Sequence, residues 1–158
     1  HKNSGEKKGI MKKDVQEINI LLLNAVPDKR QKNLVIESLG KGVLDSGCTK
    51  TVSGEFWMEE FLSTLSAEDK SSVKEEDSKY TFRFGDGVEC KATQRITLPV
   101  KIGNLKYRLT VEISQADIPL LLSKGAMKQM QMKLNFSTDT VMLKEEEIDL
   151  DCTSSGHY

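Results

Sequence analysis

Lys41-Gly-Val-Leu-Asp-Ser-Gly-Cys-Thr-Lys-Thr-Val52 decides how the rest of the chain is read. Val43 and Leu44 make a short apolar strand, and Asp45 follows them directly into a turn built from Ser46 and Gly47. A carboxylate in that position is partly desolvated, and the glycine lets the backbone turn sharply beneath it. Asp45 therefore reads as a catalytic carboxylate with Ser46 and Gly47 as its loop, although the same tripeptide also suits an Asx turn ending a strand. The flanking sequence has to discriminate.

Downstream, the pattern is β. Tyr80-Thr-Phe-Arg-Phe-Gly-Asp-Gly-Val88 alternates aromatic and polar residues into Gly85-Asp86-Gly87, a strong hairpin signal. Arg95–Ile102, a Gly103-Asn104 turn and Tyr107–Ile113 form a second hairpin of period two. Asp117-Ile-Pro-Leu-Leu-Leu-Ser123 is an apolar run too short for a helix, and Lys124–Met132 has helical composition. Leu134–Leu143 and Ile148–Leu150 read as a final hairpin. Between the first strands, Phe56, Trp57, Phe61, Leu62 and Leu65 fall at helical spacing before the polar run Ser66–Ser78, which predicts an amphipathic helix and a mobile loop across residues 54–79.

Composition excludes several classes. The 23 basic and 24 acidic residues leave a net charge of -1, so the chain has no global electrostatic footprint for nucleic acid. Lys2, Lys7, Lys8, Lys12 and Lys13 make the first stretch locally basic, but no stacking aromatics accompany them, and a solvated linker explains them. No apolar stretch reaches membrane-spanning length; Ile18–Leu23 reads as a strand. Cys48, Cys90 and Cys152 are odd in number and widely spaced, which points to reduced thiols and an intracellular, cytoplasmic setting. Cys48 as a nucleophile lacks a base, since the histidines are His1 and His157 at the two ends. Cys152 and His157 supply only half of a zinc knuckle, so no metal is expected. Of the other acids, Asp86, Asp117 and Asp139 suit turns, and Glu145–Glu147 form a solvated run.

With these elements in order, the chain resembles the retropepsin family, the aspartic proteases of retroviruses and long-terminal-repeat retrotransposons, and looks most like the protease of an animal retrotransposon Pol polyprotein. The resemblance runs from about Ile18 to Leu150. It rests on Gly42–Val52 as active-site loop, Phe84-Gly-Asp-Gly87 as flap tip, Ile118–Ser123 as second hydrophobic turn, and Lys133-Leu-Asn-Phe136 after the helix. It implies a mainly β, closed acid-protease barrel with one or two short helices and one catalytic aspartate, Asp45, per subunit. Ser123 stands where the family has glycine, so a differently drawn turn is expected there.

Two close carboxylates share one proton, one acting as base toward water and the other as acid toward the carbonyl oxygen. With Asp45 alone, the second must come from another copy, and the resemblance likewise implies a homodimer in which Ser46 braces the two loops across the axis. Water is the nucleophile, so no cofactor is implied. An extended peptide would lie along Phe84, Gly85, Asp86, Gly87 and Val88 on one side and Ile118, Pro119 and Leu120 on the other. The expected substrate is the parent polyprotein, within a virus-like particle or the cytoplasm. Residues 1–17 then form a linker, 18–150 the protease domain, and 151–158 a tail toward the next segment, an expectation suggested also by the start at His1. The alternative is a retropepsin-like fold that has lost activity and serves as a dimerisation or binding module.

Overall fold

A computed structural model describes residues 18–22, 35–36, 38–83 and 87–152. Its longest feature is the hairpin of β6 (Glu89–Ile102) and β7 (Leu105–Ser114), which turns at Gly103-Asn104 where the alternation predicts. On β6, Ala92, Ile96, Leu98, Val100 and Ile102 are buried, with a bulge between Ala92 and Gln94 correcting the register. The last four residues of β7 are buried on both faces, Glu112 and Ser114 included.

Seven further strands complete the main sheet: β1 (Asn19–Leu22), β2 (Lys41–Asp45), β3 (Val52–Gly54), β4 (Lys74–Asp77), β5 (Thr81–Arg83), β8 (Leu120–Ser123) and β12 (Asp151–Cys152). Their order is β12-β1-β2-β8-β3-β7-β6-β4, with β5 also on β6. β2 lies between two parallel neighbours, β1 and β8. Its Leu44 joins the main core and its Val43 a second apolar cluster, which is why the strand reads as an unbroken apolar run.

The expected closed barrel is not what forms. Among the described residues the path ends at β12 and β4 without closing. β4 is Lys-Glu-Glu-Asp with every residue exposed, a charged strand of the kind that blunts a free edge, and β12 has only two residues. The final hairpin is instead a three-stranded meander of β9 (Lys133–Asn135), β10 (Thr140–Leu143) and β11 (Glu146–Asp149). Asp139 sits at the first corner with φ of 50°.

Three short helices are described: α1 (Glu55–Ser63), α2 (Ala67–Ser71) and α3 (Lys124–Gln129). α1 buries Trp57, Met58 and Phe61; the Trp57 and Phe61 rings stack at 5.1 Å, and the indole N–H donates to the Ser38 carbonyl at 2.8 Å. Phe56, expected on the apolar face, is exposed. The polar run expected as a loop carries α2 and β4: Ser66 caps α2 through Asp69 N–H, and β4 pairs with β6. The tail expected from residue 151 begins with β12, which pairs with β1. No helix among the described residues is long and apolar enough to cross a membrane.

Candidate active site

Asp45 is the last residue of β2, in register with Ser123 at the end of β8. Its half-buried carboxylate closes its own turn: Oδ1 accepts from Gly47 N–H at 2.9 Å and Oδ2 from the Cys48 thiol at 3.5 Å, while the Asp45 carbonyl accepts from Cys48 N–H at 3.1 Å. Ser46 and Gly47 stay exposed. Burial, then the adjacent Asp45 charge and the hydrogen bond to it, push the Cys48 thiol up to about 12. A thiol that holds its proton so tightly is a donor to Asp45 and no nucleophile.

The loop is anchored from beneath by hydroxyl chemistry that the sequence reading passed over. Thr51, buried, donates to Ser123 Oγ at 3.2 Å and accepts from Ser123 N–H at 3.1 Å. Ser123 Oγ also caps α3 by accepting from Ala126 N–H at 3.1 Å, and Lys124 N–H reaches the Cys48 carbonyl at 3.3 Å. Ser123 is thus a working part, at once helix cap and partner of Thr51. Gly54 ends β3 where a side chain does not fit: an added Cβ would lie 2.5 Å from the Ala116 carbonyl oxygen.

A second set of contacts ties the loop to the hairpin stem. Thr49 Oγ1 and the Tyr80 hydroxyl share a hydrogen bond of 2.7 Å, and the Lys50 ammonium sits 4.6 Å from the centre of the Tyr80 ring. Lys50 is also 3.9 Å from Glu112, whose buried carboxylate accepts from Arg95 Nε at 2.7 Å and from the Ser78 hydroxyl. Glu112 N–H donates to the Thr51 carbonyl at 2.9 Å. A buried carboxylate stands only when its oxygens are satisfied, and Glu112 is so placed by β7. No sequence signal marked it: Glu112 falls on the polar phase of the alternation, with Arg108 and Thr110, which are exposed.

The hairpin itself pairs Thr81, Phe82 and Arg83 with Lys91, Cys90 and Glu89. Gly87 takes φ of +80°, a conformation suited to glycine, and both it and Val88 are exposed. Phe84, Gly85 and Asp86 lie outside the described residues. Of the opposite wall, Ile118 packs with Val43, Val52, Phe82 and Leu121 in the second cluster, which joins the Asp45 strand, the hairpin stem and the hydrophobic turn. Pro119 is buried too. Leu120 is fully buried in the main core.

Beside the Asp45 loop lies an open depression of about 330 Å³, lined by Ser46, Gly47, Cys48, Thr49, Lys124, Gly125 and Lys128. Among the described residues, no group of three or more His, Cys, Asp or Glu side chains is placed to hold a metal ion.

No family model matches the sequence, and no curated protein matches it. Among solved structures the chain is similar to the retroviral protease-like domain of Ddi1 from Leishmania major, at 13% identity, over 68% of this chain and 81% of that chain, with a TM-score of 0.48.

Proposed function

We propose that this chain is an aspartic endopeptidase of the retropepsin type, working as a homodimer with Asp45 from each subunit and cleaving the polyprotein of a retrotransposon. The observation that carries the reading is the Asp45 turn: a half-buried carboxylate at the end of a core strand, both oxygens oriented by its own loop, beside a depression open to solvent. In the pair, one carboxylate is ionised and the other protonated, because two like charges in contact do not both ionise. The ionised one takes a proton from water as its oxygen attacks the scissile carbonyl carbon; the protonated one gives its proton to the carbonyl oxygen. Collapse of the tetrahedral intermediate breaks the C–N bond, and the leaving nitrogen takes a proton from the site. Ser46, exposed beside Asp45, is the hydroxyl available to meet its counterpart across a two-fold axis.

The test is cleavage of a panel of apolar peptides by the purified protein at mildly acidic pH, with and without pepstatin. Pepstatin-sensitive cleavage is expected. Absence of cleavage in a demonstrably dimeric sample favours the binding-module alternative.

A further inference from the structure

The lining of the depression next to Asp45 carries two positive charges, Lys124 and Lys128. Lys124 and Lys128 are four residues apart on α3, hence on one face of the helix, and both line the depression and are exposed. The lining contains no carboxylate. Among the described residues neither lysine has an ion pair, whereas Lys50, on the same loop, is drawn to Glu112 and to the Tyr80 ring. The chain as a whole carries a net charge of -1, so this corner is no by-product of a basic protein.

Local energetics run against Lys124. Lys124 is the first residue of α3, at the helix end that repels cations, and no acidic residue occupies that first turn. Like charges at i and i+4 add a further small repulsion. Lys128, by contrast, lies in the last turn of α3, where the helix favours a cation, so the helix-end cost falls on Lys124 alone. Gly125 keeps the space open: a Cβ there would have only Ser123 Oγ within reach, at 3.8 Å.

Resting on the endopeptidase reading, we propose that this corner is a specificity subsite for an acidic side chain, Asp or Glu, of the substrate peptide, with Lys124 and Lys128 as its determinants. Ser46, which lines the depression, is the residue next to Asp45. An extended peptide advances ~3.3 Å per residue and sends alternate side chains to the same wall, so a residue within about three positions of the scissile bond reaches the lysines.

Matched peptides carrying Glu or Gln at each position flanking the bond test this. At low salt the best Glu peptide is expected to be cleaved with kcat/KM about 3–10-fold above its Gln twin, the effect of one or two exposed ion pairs, mostly through KM. The preference shrinks in 0.5 M salt. In Lys124→Gln/Lys128→Gln the ratio falls to about one, and in Lys128→Glu it turns toward Lys peptides. A wild-type ratio of one at every position, or a ratio unchanged in the double variant, overturns the inference.

The same peptide pairs bound to Asp45→Asn, followed by fluorescence anisotropy, separate the two readings. If wild type cleaves nothing, the endopeptidase reading fails, while a Glu preference in binding still supports the subsite and equal binding refutes it. Lysine variants that alter dimer formation and leave peptide discrimination intact show the corner to be an interface between copies, and the subsite is then wrong.

Discussion

Ser123→Ala removes one oxygen that serves two partners. Ser123 Oγ accepts from Ala126 N–H at the start of α3 and from the buried Thr51 hydroxyl. Loss of a serine cap to alanine costs about 1 kcal/mol. The Thr51 hydroxyl, buried and without its acceptor, adds about 1 kcal/mol, the low end of the range for an unsatisfied group, since it still accepts from Ser123 N–H. The expected loss is therefore about 2 kcal/mol, which at a urea slope of about 2 kcal/mol/M lowers the unfolding midpoint by about 1 M. Ser123→Gly separates the parts, because glycine caps within a few tenths of a kcal/mol of serine; about half of the loss should remain. A cycle with Thr51→Val should give a coupling of about 1 kcal/mol. A Ser123→Ala midpoint close to wild type, or losses at the two sites that simply add, would show that this pair does not hold the Asp45 loop to α3.

Asp45→Asn keeps size and hydrogen bonding but cannot share a proton, so peptidase activity should vanish while the urea midpoint stays near wild type; residual turnover at the wild-type rate would remove Asp45 from the mechanism. Activity per subunit should fall on dilution through the monomer–dimer transition seen by sedimentation, and constant specific activity of a monomer would refute the shared site. Tyr80→Phe keeps the ring beneath Lys50 but loses the bond to Thr49, so amide exchange across Thr81–Arg83 should quicken several-fold; unchanged exchange would mean that the loop does not steady the hairpin. The folded chain holds the Cys48 proton more tightly than the unfolded chain does, so stability should fall as pH rises from about 9 toward 12, and less steeply in Cys48→Ala; parallel pH profiles of the two would refute this.

Local signals proved most legible where pattern and packing agree. The alternation in Arg95–Ile102 and Tyr107–Ile113 appears as β6 and β7, and the apolar run before Asp45 appears as β2 with both faces covered. What was illegible depends on the other side of the molecule. Ser66–Ser78 looked like loop because its hydrophobicity is low, yet β4 needs no apolar face: it forms by backbone pairing to β6 and leaves its charges in water. Closure of the sheet was expected from resemblance, but no residue pattern encodes which edges meet. Leu120 and Ile118 sit two apart in one apolar run, and only the fold assigns the first to the main core and the second to the cluster beside the hairpin. Glu112 and Thr51 escaped notice because a polar residue becomes significant only once its burial is known.

The polar contacts sort the Asp45 loop into a satisfied back and an open front. Behind it, Thr51 bonds Ser123 and Glu112, Cys48 bonds Asp45 and Lys124, and the Tyr80–Thr49 bond fixes its flank. In front, Ser46 is exposed and among the described residues its hydroxyl has no partner. Gly47 is exposed as well, and its N–H is already committed to Asp45. On that side β8 pairs with β2 along four residues, with Ser123 in register with Asp45. If the proposed chemistry holds, its second carboxylate approaches from the Ser46 side, and a bulky substitution there, Ser46→Leu, should abolish both dimer and turnover while leaving the urea midpoint of the monomer unchanged. Retention of a normal dimer and normal turnover in that variant would refute an approach from the Ser46 side.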